Sequence, residues 1–312
     1  MRTILLLDLV HPDFQTMLEG LGYGVVYNSI DTEEALMSVI AEYDGLVVRS
    51  TPRIQKGIID AGKKLKFIAR VGSGTESIEV EYAEKQGVTV LNSPEGNCDA
   101  VGEHALGLLI ALNKKIAEAS IQVRKGIWDR KSNRGTELMG KTVGIIGYGN
   151  TGSAFARKLR GMDVKILAYD KYKSGFSNEY VSECTLNDIF EQADVVSFHV
   201  PQTNETIGYA DEKFFGLLKK QVVLLNTSRG SVVNTGSLAD AMKMNIVIAA
   251  GLDVVDWENW HFNLENIHEN KDAQFLLNHQ SVIITPHIAG ITHESLKRHA
   301  VVLAEKISNL KF

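Results

Sequence analysis

The sequence predicts an α/β protein made of two doubly wound parallel-sheet domains, on three observations. At 312 residues the chain is longer than one ordinary hydrophobic core supports. Short runs rich in Val, Ile and Leu alternate with helical patterns twice over, as βαβ units require. A glycine-rich turn opens the second series, where a strand gives way to a helix.

The first series pairs "TILLLD" with a helix over 13–21, "GVVYN" with 32–42, "GLVVRS" with 54–62 and "LKFIARVGS" with 78–86, and closes on "VTVLNSP". A long helical stretch follows, "NCDAVGEHALGLLIALNKKIAEASIQVRKG", with Asn97 as its expected cap and His104 reading as a packed core histidine. The second series runs through "KTVGIIGYG", "VKILAYD", "ADVVSFHVP", "QVVLLNTSRG", "IVIAAGLDVV" and "SVIITPHIAG", and a terminal helix covers roughly 292–312. Five prolines and no low-complexity linker indicate halves tied by long helices rather than by a floppy hinge.

Bulk properties exclude several functions. A net charge of -5 leaves no basic excess for nucleic acid. Cys98 and Cys184 have neither metal nor redox spacing and read as reduced thiols, with no metal site expected. The opening apolar run breaks at Asp8 and lacks a small-residue cleavage site, so it reads as a first strand and not as a signal peptide. No apolar run approaches the ~20 residues that span a bilayer. A cytoplasmic protein with a small-molecule ligand and no membrane or nucleic-acid partner is expected.

"GIIGYGNTGSAFARKL" places Gly147, Gly149 and Gly152 in G-x-G-x-x-G spacing between a strand and a helix. "VKILAYD" then ends in Asp170, 18 residues after Gly152, which completes a dinucleotide fingerprint and makes this half a Rossmann NAD-binding domain. Gly147 allows the tight turn, Gly149 lets the backbone approach the pyrophosphate, and Gly152 permits close helix–strand packing. Asn150 and Thr151 lie in the first helical turn, whose N–H groups stabilise phosphates. Asp170 accepts from a ribose 2′-hydroxyl and repels a 2′-phosphate, so NAD is favoured over NADP.

Ligands of open parallel sheets bind beyond the carboxyl ends of the strands. There the later strands deliver His199 and Pro201, then Thr227, Ser228 and Arg229, then Asp253, Asp256 and Glu258, and finally His287 with Gly290 after it. A histidine as base, a carboxylate to orient it and an arginine for a substrate carboxylate suit hydride transfer to or from a 2-hydroxy acid.

The motifs "RVGSG", "GIIGYGNTG", "HVPQTNET", "NTSRG", "GLDV" and "TPHIAG", in this order, resemble the D-isomer-specific 2-hydroxyacid dehydrogenase family over essentially the whole chain. The resemblance implies Arg229, Glu258 and His287 as the catalytic set. It implies cofactor contacts at Ser73, Asn150, Thr151, Asp170, Thr227, Asp253 and 287–290, with Asp253 near the nicotinamide amide. It also implies a flavodoxin-like substrate domain over 1–97 plus 292–312, an NAD-binding domain over 98–291, a catalytic cleft between them, and a homodimer through the long helix. Where the family pattern has Glu-Pro the chain reads Glu258-Asn259, and the stretch up to His287 is longer than usual. Asp256 is therefore a rival partner for the histidine. Trp257 and Trp260 read as loop packing.

Arg49 in "GLVVRS" and Arg70 in "FIARVGSG" end strands of the first half, and the N–H groups of Gly72, Ser73 and Gly74 suit an anion. These segments also resemble the D-3-phosphoglycerate dehydrogenase branch of the family. The resemblance implies oxidation of 3-phosphoglycerate to 3-phosphohydroxypyruvate, the entry to serine synthesis, by a short form without C-terminal regulatory domains. Glyoxylate, hydroxypyruvate or D-lactate reduction is the alternative of the same chemistry. An NAD(H)-sensing corepressor is the alternative of another class.

Overall fold

The computed structural model describes residues 1–8, 10–259, 263–264 and 267–311. It divides into one unit of Met1–Cys98 with Ile291–Phe312 and another of Asp99–Gly290.

In the first unit five parallel strands, β1 (Thr3–Leu6), β2 (Gly24–Tyr27), β3 (Gly45–Val48), β4 (Phe67–Arg70) and β5 (Thr89–Asn92), lie in the order β2-β1-β3-β4-β5. That is the flavodoxin-like doubly wound order. Central β3 is buried along its whole length, whereas edge strand β2 exposes Val26 and Tyr27. On one face Phe14 and Leu18 of α1 (Pro12–Gly20) pack with Leu303 and Ile307 of α12 (His293–Ser308) over Ile4 and Phe67. Thr292 and Ser295 bond reciprocally to start α12.

In the second unit seven parallel strands follow: β6 (Thr142–Ile146), β7 (Lys165–Tyr169), β8 (Val181–Glu183), β9 (Val195–Phe198), β10 (Val222–Asn226), β11 (Val247–Leu252) and β12 (Val282–Ile284). Their order, β12-β11-β10-β9-β6-β7-β8, reverses direction between β6 and β9, the switch point of a Rossmann sheet. The sequence pattern shows six of these strands. β8 is three residues with a Ser and a Glu, too short and polar to stand out.

The expected long helix differs from the observed one. α5 (Pro94–Asn113) begins at Pro94, whose missing N–H suits a first helical position, so Asn97 is inside the helix and not its cap. Lys115 takes φ 52, outside the right-handed region, and a separate α6 (Ile116–Arg124) begins after it. Leu108 and Leu112 of α5 lie against Gly251 of β11, where a side chain would not fit.

Each unit buries a neutral histidine. His199, after β9, tilts against Phe155, bonds Ser197 at 2.9 Å and is pushed down to about 3 by burial. His299, on α12, bonds Ser93 Oγ at 2.7 Å and is held at about 4, first by burial and then by the charges of Arg70, Arg49 and Arg298. The unfolded chain therefore binds protons at these sites below the ordinary histidine value of 6.5, and the folded chain does not take them up until pH approaches 4 or 3. Their contribution to stability is complete above that value and falls as the medium is acidified, by about 2 kcal/mol per histidine at about pH 5. Melting temperature measured from about pH 7 to about pH 5 is expected to fall, and His299→Gln to flatten the slope. A flat wild-type profile over that range contradicts this reading.

Candidate active site

Three neighbouring strands of the second unit, β10, β11 and β12, end in the residues that matter. β10 runs into a turn built on Asn226, which is fully buried and accepts from Ser228 N at 3.1 Å and Ser228 Oγ at 2.8 Å. Its amide also donates to the Arg229 carbonyl at 2.9 Å. The turn presents Arg229 in an extended conformation, with Nη1 donating to the Ser228 carbonyl at 2.7 Å. Gly230 comes next because a Cβ there would overlap the Val255 carbonyl. Asn226 escaped the sequence reading, since an asparagine at the end of an apolar strand carries no pattern of its own.

β11 delivers Asp253, 2% exposed. Its Oδ1 accepts from Thr285 Oγ1 at 2.6 Å and Ile288 N at 2.9 Å, and its Oδ2 from Ala289 N at 2.8 Å. Its carbonyl accepts from His287 N at 2.9 Å. All four donors belong to the loop after β12, in which His287 holds the left-handed φ of 55. The carboxylate expected near a nicotinamide thus also clamps the histidine loop.

His287 Nδ1 lies 2.8 Å from Glu258 Oε1, with the carboxylate mostly buried and the imidazole about one-third exposed. The rival Asp256 is engaged elsewhere. Its carboxylate accepts from Thr235 Oγ1 and from Thr235 N at the start of α10 (Thr235–Lys243). Asn259, standing in the family's proline position, uses its N–H to donate to the Asn263 carbonyl at 2.8 Å and accepts from Asn263 N at 3.0 Å. Proline has no such donor. Trp257 is buried in the core beneath β10 and β11, while Trp260 lies outside the described residues.

The glycine motif fits a dinucleotide. Gly147 has φ 92 and no room for a side chain beside the His199 carbonyl. A Cβ on Gly152 would overlap the Gly147 carbonyl, so helix α7 (Asn150–Lys158) can approach the turn after β6 this closely only with a glycine here. Gly149 is different: its missing side chain points into open space in front of the helix. Asn150 and Thr151 form that first helical turn. Asp170, just after β7, accepts from Tyr148 N at 2.8 Å, Tyr172 N at 2.9 Å and Lys173 N at 3.0 Å, which fixes its carboxylate. Thr227 keeps a buried hydroxyl that meets no hydrogen-bond partner among the described residues. Such an orphan and such a cradle suit a bound ligand. Gly290 closes the unit, half-buried, after the clamped loop.

Three further residues lie after β9 and on α5. The imidazole of His199 turns into the core, where it is neutral, so a cofactor contact through its side chain is not what the structure offers. Pro201 is exposed, its carbonyl taken by Thr206 Oγ1 at 2.6 Å. His104 is not simply packed: its Nε2 is 2.9 Å from Thr285 Oγ1.

In the first unit Arg49 follows β3 and its N–H donates to Asp8 at 3.0 Å, while Arg70 ends β4. The Arg70 guanidinium lies in the space that a Gly72 side chain would fill, and Gly72 has φ 141. The Gly72 N–H, expected to meet a substrate anion, donates to Ser93 Oγ at 3.1 Å instead. The Ser73 hydroxyl donates to Asn97 at 2.7 Å and its carbonyl accepts from Asn92 at 2.6 Å. Gly74 is half-buried beside it.

Residues 106–289 match the family described as D-isomer specific 2-hydroxyacid dehydrogenase, NAD binding domain. A hydroxypyruvate reductase of Thermotoga maritima is 37% identical over 88% of this chain and 87% of its own length. A D-3-phosphoglycerate dehydrogenase of Methanocaldococcus jannaschii is 33% identical over 99% of this chain, which spans 57% of that longer protein. Among solved structures, D-lactate dehydrogenase from Aquifex aeolicus complexed with NAD and lactic acid superposes with a TM-score of 0.82. It is 26% identical and is matched over 98% of this chain and 94% of its own.

The two glycines separate fold from ligand. Gly149→Ala is expected to leave the melting temperature nearly unchanged yet weaken NAD binding at least about tenfold by titration calorimetry. Gly152→Ala is expected to lower both, because helix and strand must part. Equal NAD affinity in wild type and Gly149→Ala rules out the cradle.

Proposed function

Because the chain belongs to the D-isomer-specific 2-hydroxyacid dehydrogenase family of NAD-dependent oxidoreductases, we propose that it interconverts a D-2-hydroxy acid and its 2-oxo acid, with His287 as acid/base, Glu258 as its partner and Arg229 as the carboxylate anchor. The 2.8 Å contact between His287 Nδ1 and Glu258 Oε1 carries the proposal. With Nδ1 bonded to the carboxylate, Nε2 is the ring atom assigned to take the hydroxyl proton or return it to the carbonyl oxygen. Glu258 stabilises the imidazolium that proton uptake creates. Arg229 binds the substrate carboxylate as a planar two-donor fork and so orients C2. The nicotinamide ring supplies the hydride acceptor in one direction and the donor in the other. Gly147, Gly149, Asn150, Thr151, Gly152 and Asp170 are the residues to hold its dinucleotide, with Thr227, Ser228, Asp253 and Gly290 toward the nicotinamide.

For the substrate we favour 3-phosphoglycerate and 3-phosphohydroxypyruvate. Arg49 and Arg70 stand at the carboxyl ends of β3 and β4, the edge of a parallel sheet at which ligands bind. Seating of Arg70 on the Gly72 backbone fixes a cation in the manner a phosphate needs. Hydroxypyruvate is the second reading, favoured by the similarity to a reductase of comparable length. A homodimer is supported by α6, which buries none of its residues and exposes Ile121 and Val123 near exposed Ile127 and Trp128. Light scattering of the purified protein tests it.

In steady-state NADH oxidation, kcat/KM for 3-phosphohydroxypyruvate is expected to exceed that for hydroxypyruvate by at least about tenfold. Arg70→Ala should erase most of that ratio, since a hydrogen bond to a charged group is worth about 1.5–3 kcal/mol. A ratio near one assigns the unphosphorylated substrate. His287→Ala should lower kcat by at least about a hundredfold, and near-normal turnover by that variant refutes the mechanism.

A further inference from the structure

We propose that His104, on α5, is a positioning residue for the proton transfer, acting by donating Nε2–H to the Thr285 hydroxyl that backs the Asp253 clamp. The inference rests on the assignment of His287 as acid/base.

The direction of each hydrogen bond follows from counting protons. An ionised carboxylate only accepts, so the Thr285 hydroxyl, 2.6 Å from Asp253 Oδ1, must spend its one hydrogen there. Thr285 Oγ1 can then meet His104 Nε2, 2.9 Å away, only as an acceptor. Nε2 therefore carries a proton, and the same N–H lies 3.5 Å from Asp253 Oδ1. The chain of donors runs one way, from His104 to Thr285 to Asp253. Asp253 in turn holds His287 N, Ile288 N and Ala289 N.

The consequence falls on His287 because its backbone does not stay in place by itself. A left-handed φ of 55 is strained for a non-glycine residue, and the Asp253 contacts offset that strain. If Thr285 lost its donor, its hydroxyl would be free to turn from the carboxylate, and the loop could relax toward ordinary φ. The imidazole would then swing away from Glu258. Rigid α5, with Leu108 and Leu112 packed beneath β11, gives the donor a fixed origin.

His104→Leu keeps bulk and helix propensity while deleting the donor, and His104→Gln presents an amide N–H from the same position. The Leu variant is expected to lower kcat at least about tenfold with KM values for NADH and the 2-oxo acid within about twofold, and the Gln variant to recover most of the loss. Combining His104→Leu with Thr285→Val should cost little more than either alone, as coupled residues do. Wild-type kcat in His104→Leu, or independent multiplication of the two effects, overturns the proposal. A wild type with no NADH turnover on any 2-oxo acid refutes the assigned reaction instead. The positioning claim is then read by nitrogen-15 NMR of the histidine rings. A protonated His104 Nε2, and displaced His287 ring signals in His104→Leu, support it, and an unprotonated Nε2 or unmoved signals reject it.

Discussion

Asp253 ends the most buried stretch of β11, and an ionised carboxylate at that depth costs several kcal/mol unless donors surround it. One hydroxyl and two backbone N–H groups do so, each a charge-assisted bond worth roughly 1.5–3 kcal/mol. The requirement works in both directions. The carboxylate is tolerated only if the loop after β12 folds onto it, and the loop keeps its left-handed histidine only while the carboxylate is there. The position of the His287 imidazole, the length of its contact with Glu258 and the role of His104 all depend on this exchange.

Sheet order brings the other parts to the same edge. β12, β11 and β10 are consecutive neighbours, so the histidine, the clamp and the arginine emerge side by side although 58 residues separate Arg229 from His287. β9 and β6 come next, and the glycine turn lies at the switch point between them. Parallel pairing points every carboxyl end the same way, which alternating strands could not do. Packing then refines what topology supplies. Gly230 lets the arginine turn touch the backbone that leads to Asp256 and Glu258, so two strand ends share one contact surface.

Most of the fold was legible because parallel strands buried on both faces read as unbroken apolar runs, and β3, β6 and β10 are such runs. β8 was not, since a three-residue polar edge strand has no periodicity to detect. Arg229, Glu258 and His287 stand out in the sequence because strand-end residue types and ordered motifs mark them. Asn226 and His104 do not: Asn226 acts on its own neighbours inside a turn and His104 through a hydrogen bond to a residue far away in sequence, and neither leaves a spacing signal. Histidine shows the limit of residue type most clearly. His199 and His299 are kept neutral by burial, His104 serves as a donor from a helix, and His287 alone of these four has a carboxylate on its ring at 2.8 Å.

The departure at Asn259 bears on how Glu258 is held. A proline after the glutamate would stiffen the chain covalently by fixing φ. Here the same restraint comes from hydrogen bonds. Asn259 exchanges two with Asn263, and Glu258 forms an antiparallel bridge with Leu264. Upstream, Glu258 N donates to the Val255 carbonyl at 3.2 Å, and Asp256 is anchored to the start of α10 through Thr235. The carboxylate is thus fixed from both sides by short local contacts that need neither proline nor the shorter loop.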